Sequence, residues 1–397
     1  MKIYPIKGIK LASTHSGMYS KKRLDLSILK LPENSIVKAV VTQNKARSST
    51  IDFSYENLKK KSPKYLIINS GNANAGTGKY GMLDIKKYCG ELAKITSCKI
   101  NDILAFSTGV IGERIAVEKI CKSFPKLFKS LSEDNWLSFA KSIMTTDTQH
   151  KIYSKRIKIK NEWISVTGVT KGSGMIKPNM ATMLSFIATD MNIDKKSLSK
   201  IQKEATKKSF NMISVDGETS TNDASIIIST RASKISFKNL TNKEREDFVK
   251  IIFDAHIQLA KMIVRDGEGA TKFITINIKK CLSFDEAKNI AMSIGNSLLV
   301  KTALFAQDPN WGRIISAIGN AGIKEKNINR YTVSFGKNMI FKNGCAVQNY
   351  NEKKMLKYLK NKEIEINICC NSGNNEATVW TSDLTYEYIK INAEYRT

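Results

Sequence analysis

The residues best suited to chemistry in this sequence are the pair Ala181-Thr182, which follows a glycine-rich stretch and precedes an apolar run. A threonine hydroxyl can act as a nucleophile without histidine if the chain is cut just before it, because its own α-amine then takes the proton. An α-amine titrates at about 7.7 to 8.0, where a base that works near neutral pH should titrate. Gly172 and Gly174 permit a sharp turn, and Pro178 favours extended backbone before it. The local pattern by itself still favours an ordinary turn that leads into a core strand.

Histidine-based and nucleotide-based chemistries find little support. The sequence has three histidines, His15, His150 and His256, and the last lies beside the apolar face of a predicted helix, where a structural role is expected. No Gly-x-Ser-x-Gly elbow is present. Gly71 and Gly76 have the spacing of a phosphate-binding loop, but Thr77-Gly78 follows where Lys and Ser or Thr are required. A serine hydrolase, a kinase and an NTPase are therefore disfavoured.

Metal and disulfide sites are not predicted either. The acidic residues of two glycine-containing turns match no calcium loop, and they are more typical of turn and surface positions: Asp216, Glu218, Asp223, Asp266 and Glu268. The 7 cysteines include no Cys-x-x-Cys pair, so we expect reduced thiols. No metal and no bound cofactor is expected.

The net charge of +28, from 64 Lys and Arg against 36 Asp and Glu, raises the hypothesis of nucleic-acid binding. The lysines are spread along the chain, however, and neither zinc-finger spacing nor an aromatic cluster accompanies the basic stretches. A lysine-rich solvated surface is the favoured interpretation, and it would also attract small anions such as glutamate or coenzyme A. No nucleic-acid partner is predicted.

The N-terminal residues lack a signal-peptide core and no run is long enough to span a bilayer, so we expect a cytoplasmic protein without membrane contact.

The elements that must position these residues are short strands alternating with helices. Residues at three- and four-residue spacing from Phe248 to Ile263 predict one amphipathic helix over 241–266. The pattern lacks strict βαβ regularity and favours an α+β protein with a mixed sheet and layered helices. The predicted domains are 1–192, 193–280 and 281–397. Predicted strands are Val37–Val41, Tyr65–Asn69, Ile103–Phe106, Trp163–Val169, Met183–Ala188, Ala224–Ser229, Phe273–Ile278, Tyr331–Phe335 and Glu363–Cys369.

The segment Lys171–Leu184, KGSGMIKPNMATML, resembles almost letter for letter the cleavage segment of the ornithine acetyltransferase (glutamate N-acetyltransferase) family. Further blocks in the order of that family extend the resemblance over the whole chain, and seven such blocks are very unlikely to occur by chance. They are Asn69–Ala75, Ser107–Gly112, Met144–Asp147, Ser214–Asp223, Arg265–Lys272, Asp308–Arg313 and Ile391–Thr397.

The resemblance implies a cut between Ala181 and Thr182, with Thr182 as the nucleophile that carries the acetyl group. It implies Thr108 and Gly109 as the oxyanion hole, and it implies substrate contacts from Thr145, Lys171, Thr182, Glu268, Asn392 and Thr397. The fold it implies is a layered αββα, self-processing amidase-like domain that contains the cleavage site. Smaller α/β C-terminal domains follow, and their tail returns to the active site.

The activity implied is acetyl transfer from N-acetylornithine to glutamate in arginine biosynthesis, through two half-reactions. Some family members also use acetyl-CoA as donor, and no residue in this sequence decides that point. The resemblance also implies an α2β2 assembly of two cleaved chains. Two alternatives remain open: a self-cleaving aminopeptidase or amidohydrolase of the same fold, in which water takes the acyl group, and a basic nucleic-acid-binding protein.

Overall fold

The computed structural model describes residues 2–177, 183–323, 328–348 and 351–394. Its strands are β1 Lys10–Thr14, β2 Leu26–Lys30, β3 Ile36–Val41, β4 Tyr65–Asn69, β5 Ile103–Ser107, β6 Lys151–Ile159, β7 Glu162–Lys171, β8 Leu184–Thr189, β9 Ile213–Ser214, β10 Ala224–Ser229, β11 Phe273–Cys281, β12 Thr332–Phe335, β13 Asn338–Lys342, β14 Cys345–Ala346, β15 Glu363–Cys369 and β16 Asn375–Ser382. Its α-helices are α1 Ser49–Lys60, α2 Gly78–Ile95, α3 Val117–Lys129, α4 Trp136–Ser142, α5 Lys195–Lys207, α6 Asn242–Arg265, α7 Phe284–Asn296, α8 Leu298–Phe305, α9 Trp311–Gly319, α10 Glu352–Leu359 and α11 Tyr386–Ala393.

The chain divides into two compact units. The first comprises 1–172, 178–211 and 219–263, and the second comprises 173–177, 212–218 and 264–397. The limits of these units differ from the predicted boundaries near residues 192 and 280, and the three-domain division stays a prediction. Two short segments of the second unit, 173–177 and 212–218, interrupt the first unit in sequence, and each contains a glycine of a segment that the sequence singles out, Gly174 and Gly217.

Two mixed sheets form the centre of the first unit. One has the order β1-β2-β4-β5 and the other β3-β10-β8-β7-β6. The pairs β4–β5 and β8–β10 are parallel, and the other pairs of these sheets are antiparallel. Apolar side chains from both sheets, such as Leu66, Phe106, Phe186 and Ile226, pack together with Trp136 of α4 in one buried cluster. This cluster fills the space between the sheets, as expected for strands that alternate their faces.

Helices cover the outer faces of both sheets. A second buried cluster joins Ile67 and Ala105 of the first sheet to Ile85 and Leu92 of α2 and Phe124 of α3. On the other side, α5 contacts β3 and β10 of the second sheet. The first unit is thus a helix–sheet–sheet–helix stack, and the predicted α+β class with αββα layering is confirmed.

The second unit is built on a mixed sheet of order β14-β13-β12-β15-β11-β16-β9, against which α7 packs. Strand β11, in the interior of this sheet, runs parallel to β15 and antiparallel to β16. Ile274, Ile276 and Ile278 alternate along β11 as buried residues, the period-two pattern of a strand whose one face lies on a core. No helix in the described part of the chain is long and apolar enough to cross a membrane.

The long helix α6 begins and ends within one residue of the predicted limits, and it begins at a reciprocal cap. The Thr241 backbone N–H donates to Glu244 Oε2 at 2.9 Å, and the Glu244 N–H donates to Thr241 Oγ1 at 3.3 Å. This arrangement satisfies otherwise unpaired donors of the first turn.

His256 on this helix is fully buried; its Nδ1 lies 2.8 Å from Ile252 O and its Nε2 lies 3.0 Å from Gln202 Oε1. The structural role predicted for His256 is confirmed.

We expect His256 to make the protein less stable in mild acid. Burial lowers the pKa of His256 from 6.5 to about 4. Between these two pH values His256 is protonated in the unfolded chain and neutral in the folded chain. The free energy of unfolding should therefore fall by roughly 3 kcal/mol as the pH drops from about 6.5 to about 4. Urea titrations of the wild type and His256→Gln at pH 7, 5.5 and 4.5 test this. An equally steep loss of stability in His256→Gln would contradict the assignment.

Candidate active site

Two glycine turns of the first unit meet where the neighbouring strands β4 and β5 end. Thr108 directly follows β5, and its backbone N–H donates to Asn69 O, at the end of β4, at 3.0 Å. Gly109 has a φ of +134°, and a Cβ there would lie 2.3 Å from the carbonyl carbon of Gly71. A larger residue would force the two turns apart, so glycine keeps Thr108 and Gly109 against the Asn69–Gly71 turn.

A buried asparagine ties both turns to the start of β10. Asn222 Nδ2 donates to Ala73 O at 2.5 Å and to Ser107 O at 2.8 Å. The Thr108 hydroxyl, by contrast, makes no hydrogen bond to any residue in the described ranges, although Thr108 is only 8% exposed. The framework around Thr108 is therefore rigid, while its hydroxyl is available to donate to a bound group.

A second cluster of the first unit is organised by the buried carboxylate of Asp147. Its Oδ2 accepts from the Thr145 N–H at 2.9 Å. Its Oδ1 accepts from Lys151 Nζ at 2.6 Å and from the Gly172 N–H at 2.7 Å. The Asp147 and Lys151 side chains are 0% and 2% exposed. Asp147 thereby connects the backbone beside two predicted substrate contacts, Thr145 and Lys171.

Two buried carboxyl groups near Lys171 have pKa values that are shifted in opposite directions. Burial alone would raise the pKa of Asp147, but the charges of Lys151 and Lys171, together with the hydrogen bonds, lower it to about 2. Burial raises the pKa of Asp223 well above its usual range, against the weaker opposing effect of Ser220 and Lys171. Asp223 Oδ2 has no hydrogen-bond partner among the described residues. Asp147 is thus ionised at neutral pH, whereas burial disfavours the ionised form of Asp223.

Replacing Asp147 by asparagine should destabilise the protein strongly, because the Lys151 ammonium would stay buried without its counter-charge. The expected loss is about 3 to 5 kcal/mol in the free energy of unfolding. Urea unfolding at pH 7 measures it. The double variant Asp147→Asn, Lys151→Met should recover much of this loss, since it removes the uncompensated charge as well. A loss below about 1 kcal/mol in Asp147→Asn would contradict this prediction.

The second unit contains another carboxylate with a predicted role. Asn392 Nδ2 donates to Glu268 Oε2 at 3.0 Å, and the Glu268 N–H donates to Ser173 O at 2.9 Å. Gly174 lies so close to this carboxylate that a Cβ there would be 2.3 Å from Glu268 Oε2. The glycine-rich approach to Ala181 is therefore packed directly on Glu268.

The C-terminal helix α11 is anchored to the turn that bears Glu268. Thr385 caps the helix by accepting from the Tyr388 N–H at 3.3 Å, and its hydroxyl donates to Gly269 O at 2.7 Å. Gly269 has a φ of +66°, and a Cβ there would lie 2.4 Å from Tyr388 N. These contacts explain how a residue near the end of the chain, Asn392, reaches Glu268.

The predicted site residues thus fall into three groups. Thr108, Gly109, Thr145 and Lys171 belong to the first unit, where the structure joins Thr108 to Gly109 in one turn and brings Thr145 and Lys171 to Asp147. Glu268 and Asn392 belong to the second unit, where they share a hydrogen bond. Ala181, Thr182 and Thr397 lie outside the described residues.

Residues 10–397 match the ArgJ family. The chain belongs to that family. Arginine biosynthesis bifunctional protein ArgJ of Colwellia psychrerythraea is 42% identical over 410 residues, covering 99% of this chain and 97% of the relative. The protein of the same name from Methylococcus capsulatus is 40% identical over 397 residues, covering 100% and 97%.

A solved structure extends the likeness to three dimensions. The crystal structure of Arginine biosynthesis bifunctional protein argJ from Bacillus halodurans is 36% identical, covers 53% of this chain and 98% of its own, and has a TM-score of 0.50. The family resemblance predicted from the sequence blocks is confirmed by these matches.

Several ArgJ residues that shape the site were not singled out in advance. Asp147 and Asn222 lie inside blocks that carry the family resemblance, and Lys151 follows Asp147 by four residues. For Asp216 and Asp223 the sequence suggests only metal ligands, a role that their spacing does not favour. One feature of the sequence points to them: each is a carboxylate or amide in a turn rich in glycine and threonine. Such side chains often accept hydrogen bonds from backbone N–H groups.

Proposed function

We propose that this chain cuts itself between Ala181 and Thr182 and then transfers an acetyl group from N-acetylornithine to glutamate. The observation that carries the proposal is the family match over residues 10–397, which includes the segment from Lys171 to Leu184. Curated relatives that span nearly the whole chain are named for arginine biosynthesis. Lys171 at the end of β7 pairs with Leu184 at the start of β8, so the Ala181–Thr182 bond belongs to the connection between two core strands.

Self-cleavage begins with attack of the Thr182 hydroxyl oxygen on the Ala181 carbonyl carbon. The hydroxyl proton goes to the amide nitrogen, the C–N bond breaks, and an ester joins Ala181 to the Thr182 oxygen. Water then adds to the ester carbon, which releases a carboxylate at Ala181 and regenerates the hydroxyl. Thr182 now carries a free α-amine beside its hydroxyl, the arrangement that activates a threonine nucleophile.

Acetyl transfer repeats this chemistry on a substrate. The α-amine takes the proton of the Thr182 hydroxyl as the oxygen attacks the acetyl carbon of N-acetylornithine. The C–N bond breaks, the proton passes to the departing ornithine amine, and an acetyl ester remains on Thr182. The amine of glutamate then attacks that ester, its proton returns to the threonine oxygen through the α-amine, and N-acetylglutamate leaves.

The residues that the family resemblance assigns to the site supply charge and orientation. The Thr108 hydroxyl and the Gly109 N–H stabilise the oxygen that becomes negative in each tetrahedral intermediate. Lys171 attracts the substrate carboxylate as a point charge, and Thr145 offers a neutral hydrogen-bond partner. Glu268 and Asn392, already joined at 3.0 Å, receive the amine end of the substrate, and Thr397 completes the set.

The proposal is tested by mass spectrometry and a denaturing gel. The protein should separate into fragments of 181 and 216 residues, and the larger fragment should begin with Thr182. With N-acetylornithine alone, one acetyl group should appear on the peptide that starts at Thr182, and glutamate should remove it. An intact chain that exchanges acetyl groups would contradict the proposal. Release of acetate without glutamate would favour the hydrolase alternative, and labelling by acetyl-CoA would identify a second donor.

The two fragments should stay associated after cleavage. Strand β8, in the second fragment, is paired with β7 of the first fragment over six residue pairs from Lys171–Leu184 to Val166–Thr189. Its apolar residues Leu184 and Phe186 also lie in the cluster between the sheets. We propose that two cleaved chains form an α2β2 assembly. Sedimentation of the native protein tests this, and the expected mass is twice that of one chain.

A further inference from the structure

The backbone that leads towards Ala181 is held by the carboxylate of Asp216. In the second unit, Asp216 Oδ2 accepts from the Met175 N–H at 2.6 Å and Oδ1 accepts from the Ile176 N–H at 2.8 Å. The Val215 N–H donates to Ile176 O at 2.7 Å. Hydrogen bonds to an ionised acceptor are stronger than those between neutral groups, so this carboxylate fixes two consecutive peptide groups.

Met175 needs such support because its backbone is in an unfavourable conformation. Its φ is +56°, a region that residues with a Cβ seldom adopt. Met175 is 42% exposed, so burial of this residue does not hold the turn in place. Ile176, by contrast, is only 1% exposed. The conformation is maintained by the buried Ile176 side chain on one hand and by the Asp216 carboxylate on the other.

Asp216 is also linked to the groups around Glu268. Burial, followed by the negative charges of Asp216 and Glu268, raises the pKa of Tyr388, whose hydroxyl is hydrogen-bonded to Asp216. Tyr388 therefore stays a neutral hydrogen-bond donor to Asp216 that also feels the charge of Glu268. Ser173 O accepts from the Glu268 backbone N–H and Gly174 lies against the Glu268 carboxylate, while Met175 and Ile176 donate to Asp216. Four consecutive residues of the approach therefore contact these two acidic residues.

We propose that Asp216 is a positioning residue for self-cleavage, which fixes Met175 and Ile176 and thereby sets the path of the chain towards the Ala181–Thr182 bond. The inference rests on the proposed self-cleavage. Attack by a neighbouring hydroxyl depends steeply on how the chain is presented, because a displacement of about 1 Å costs on the order of 100-fold in rate. The same carboxylate has no part in the bond-making steps themselves.

The test follows the rate of self-cleavage in full-length chains made by cell-free synthesis. Aliquots are quenched in detergent over time and the two fragments are quantified on a gel. We expect Asp216→Ala to slow cleavage at least about tenfold, because two charge-assisted hydrogen bonds are lost. Asp216→Asn keeps one acceptor oxygen and should lie between Asp216→Ala and the wild type. Glu218→Gln, an exposed carboxylate two residues away, should cleave at the wild-type rate.

A structural control separates positioning from general destabilisation. Asp383 in the same unit also accepts from two backbone N–H groups, those of Thr271 at 2.9 Å and Lys272 at 3.0 Å, but it makes no hydrogen bond to residues 173–177, the described part of the approach. Asp383→Ala should lower the melting temperature and leave the cleavage rate unchanged. Equal slowing in Asp383→Ala and Asp216→Ala, or cleavage of Asp216→Ala within twofold of the wild type, overturns the proposal. If the wild-type chain never cleaves, the proposed function itself is refuted. The wild-type sample on the same gel distinguishes that result from the outcomes above.

Discussion

Replacing Thr182 by alanine should leave the chain uncut at residue 181 and lower acetyl exchange between N-acetylornithine and glutamate by on the order of 10⁴-fold or more. One oxygen atom serves three purposes in the proposed reaction: it breaks the backbone, it exposes the α-amine that later acts as base, and it carries the acetyl group. Removal of that oxygen abolishes all three. The gel and an exchange assay with isotopically labelled glutamate measure both effects on the same preparation.

Thr182→Ser is the matched control because it keeps the hydroxyl and loses only a methyl group. It should still cleave and should retain measurable exchange, although the freer rotamer of serine is expected to slow both steps. The decisive outcome is the difference between the two variants. If Thr182→Ala exchanged acetyl groups within tenfold of the wild type, the covalent route through this residue would be refuted.

Much of the fold follows from β-branched runs in the sequence. All nine predicted strands exist, and β4, β10 and β15 have the predicted limits. Strand β6, with the sequence KIYSKRIKI, was not predicted because Lys155, Arg156 and Lys158 interrupt its apolar residues. It lies at one edge of its sheet, where charged side chains reach solvent and also discourage pairing with other chains.

The candidate site was accessible from the sequence only in part. Local pattern alone favours an ordinary turn at Ala181-Thr182, and the family resemblance supplies the roles of Thr108, Lys171 and Glu268. The carboxylates that hold the backbone could not be assigned in this way. Asp147 reaches the Gly172 N–H across 25 positions and Asp216 reaches the Met175 N–H across 41. Such pairings depend on the packed arrangement of the strands, which no local periodicity contains.

Replacing Thr108 by valine should lower kcat for acetyl exchange by roughly 100- to 1,000-fold and leave KM nearly unchanged. Valine keeps the shape of threonine but has no hydroxyl donor. The Thr108 hydroxyl makes no hydrogen bond to the described residues, so its loss should disturb the resting structure little. It is expected to act only when negative charge develops on the carbonyl oxygen, and this confines the effect to the transition state.

The Thr108 hydroxyl should also assist self-cleavage, so two measurements distinguish slower acetyl transfer from incomplete cleavage. The cleaved fraction is quantified on a gel, and kcat is expressed per cleaved chain. Thr108→Ser restores a donor at the same position and should recover most of the lost rate, whereas Thr108→Val should melt within a few degrees of the wild type. A rise in KM with unchanged kcat would instead assign Thr108 to ground-state binding of the substrate, and the Thr108–Gly109 turn would then not be the oxyanion hole.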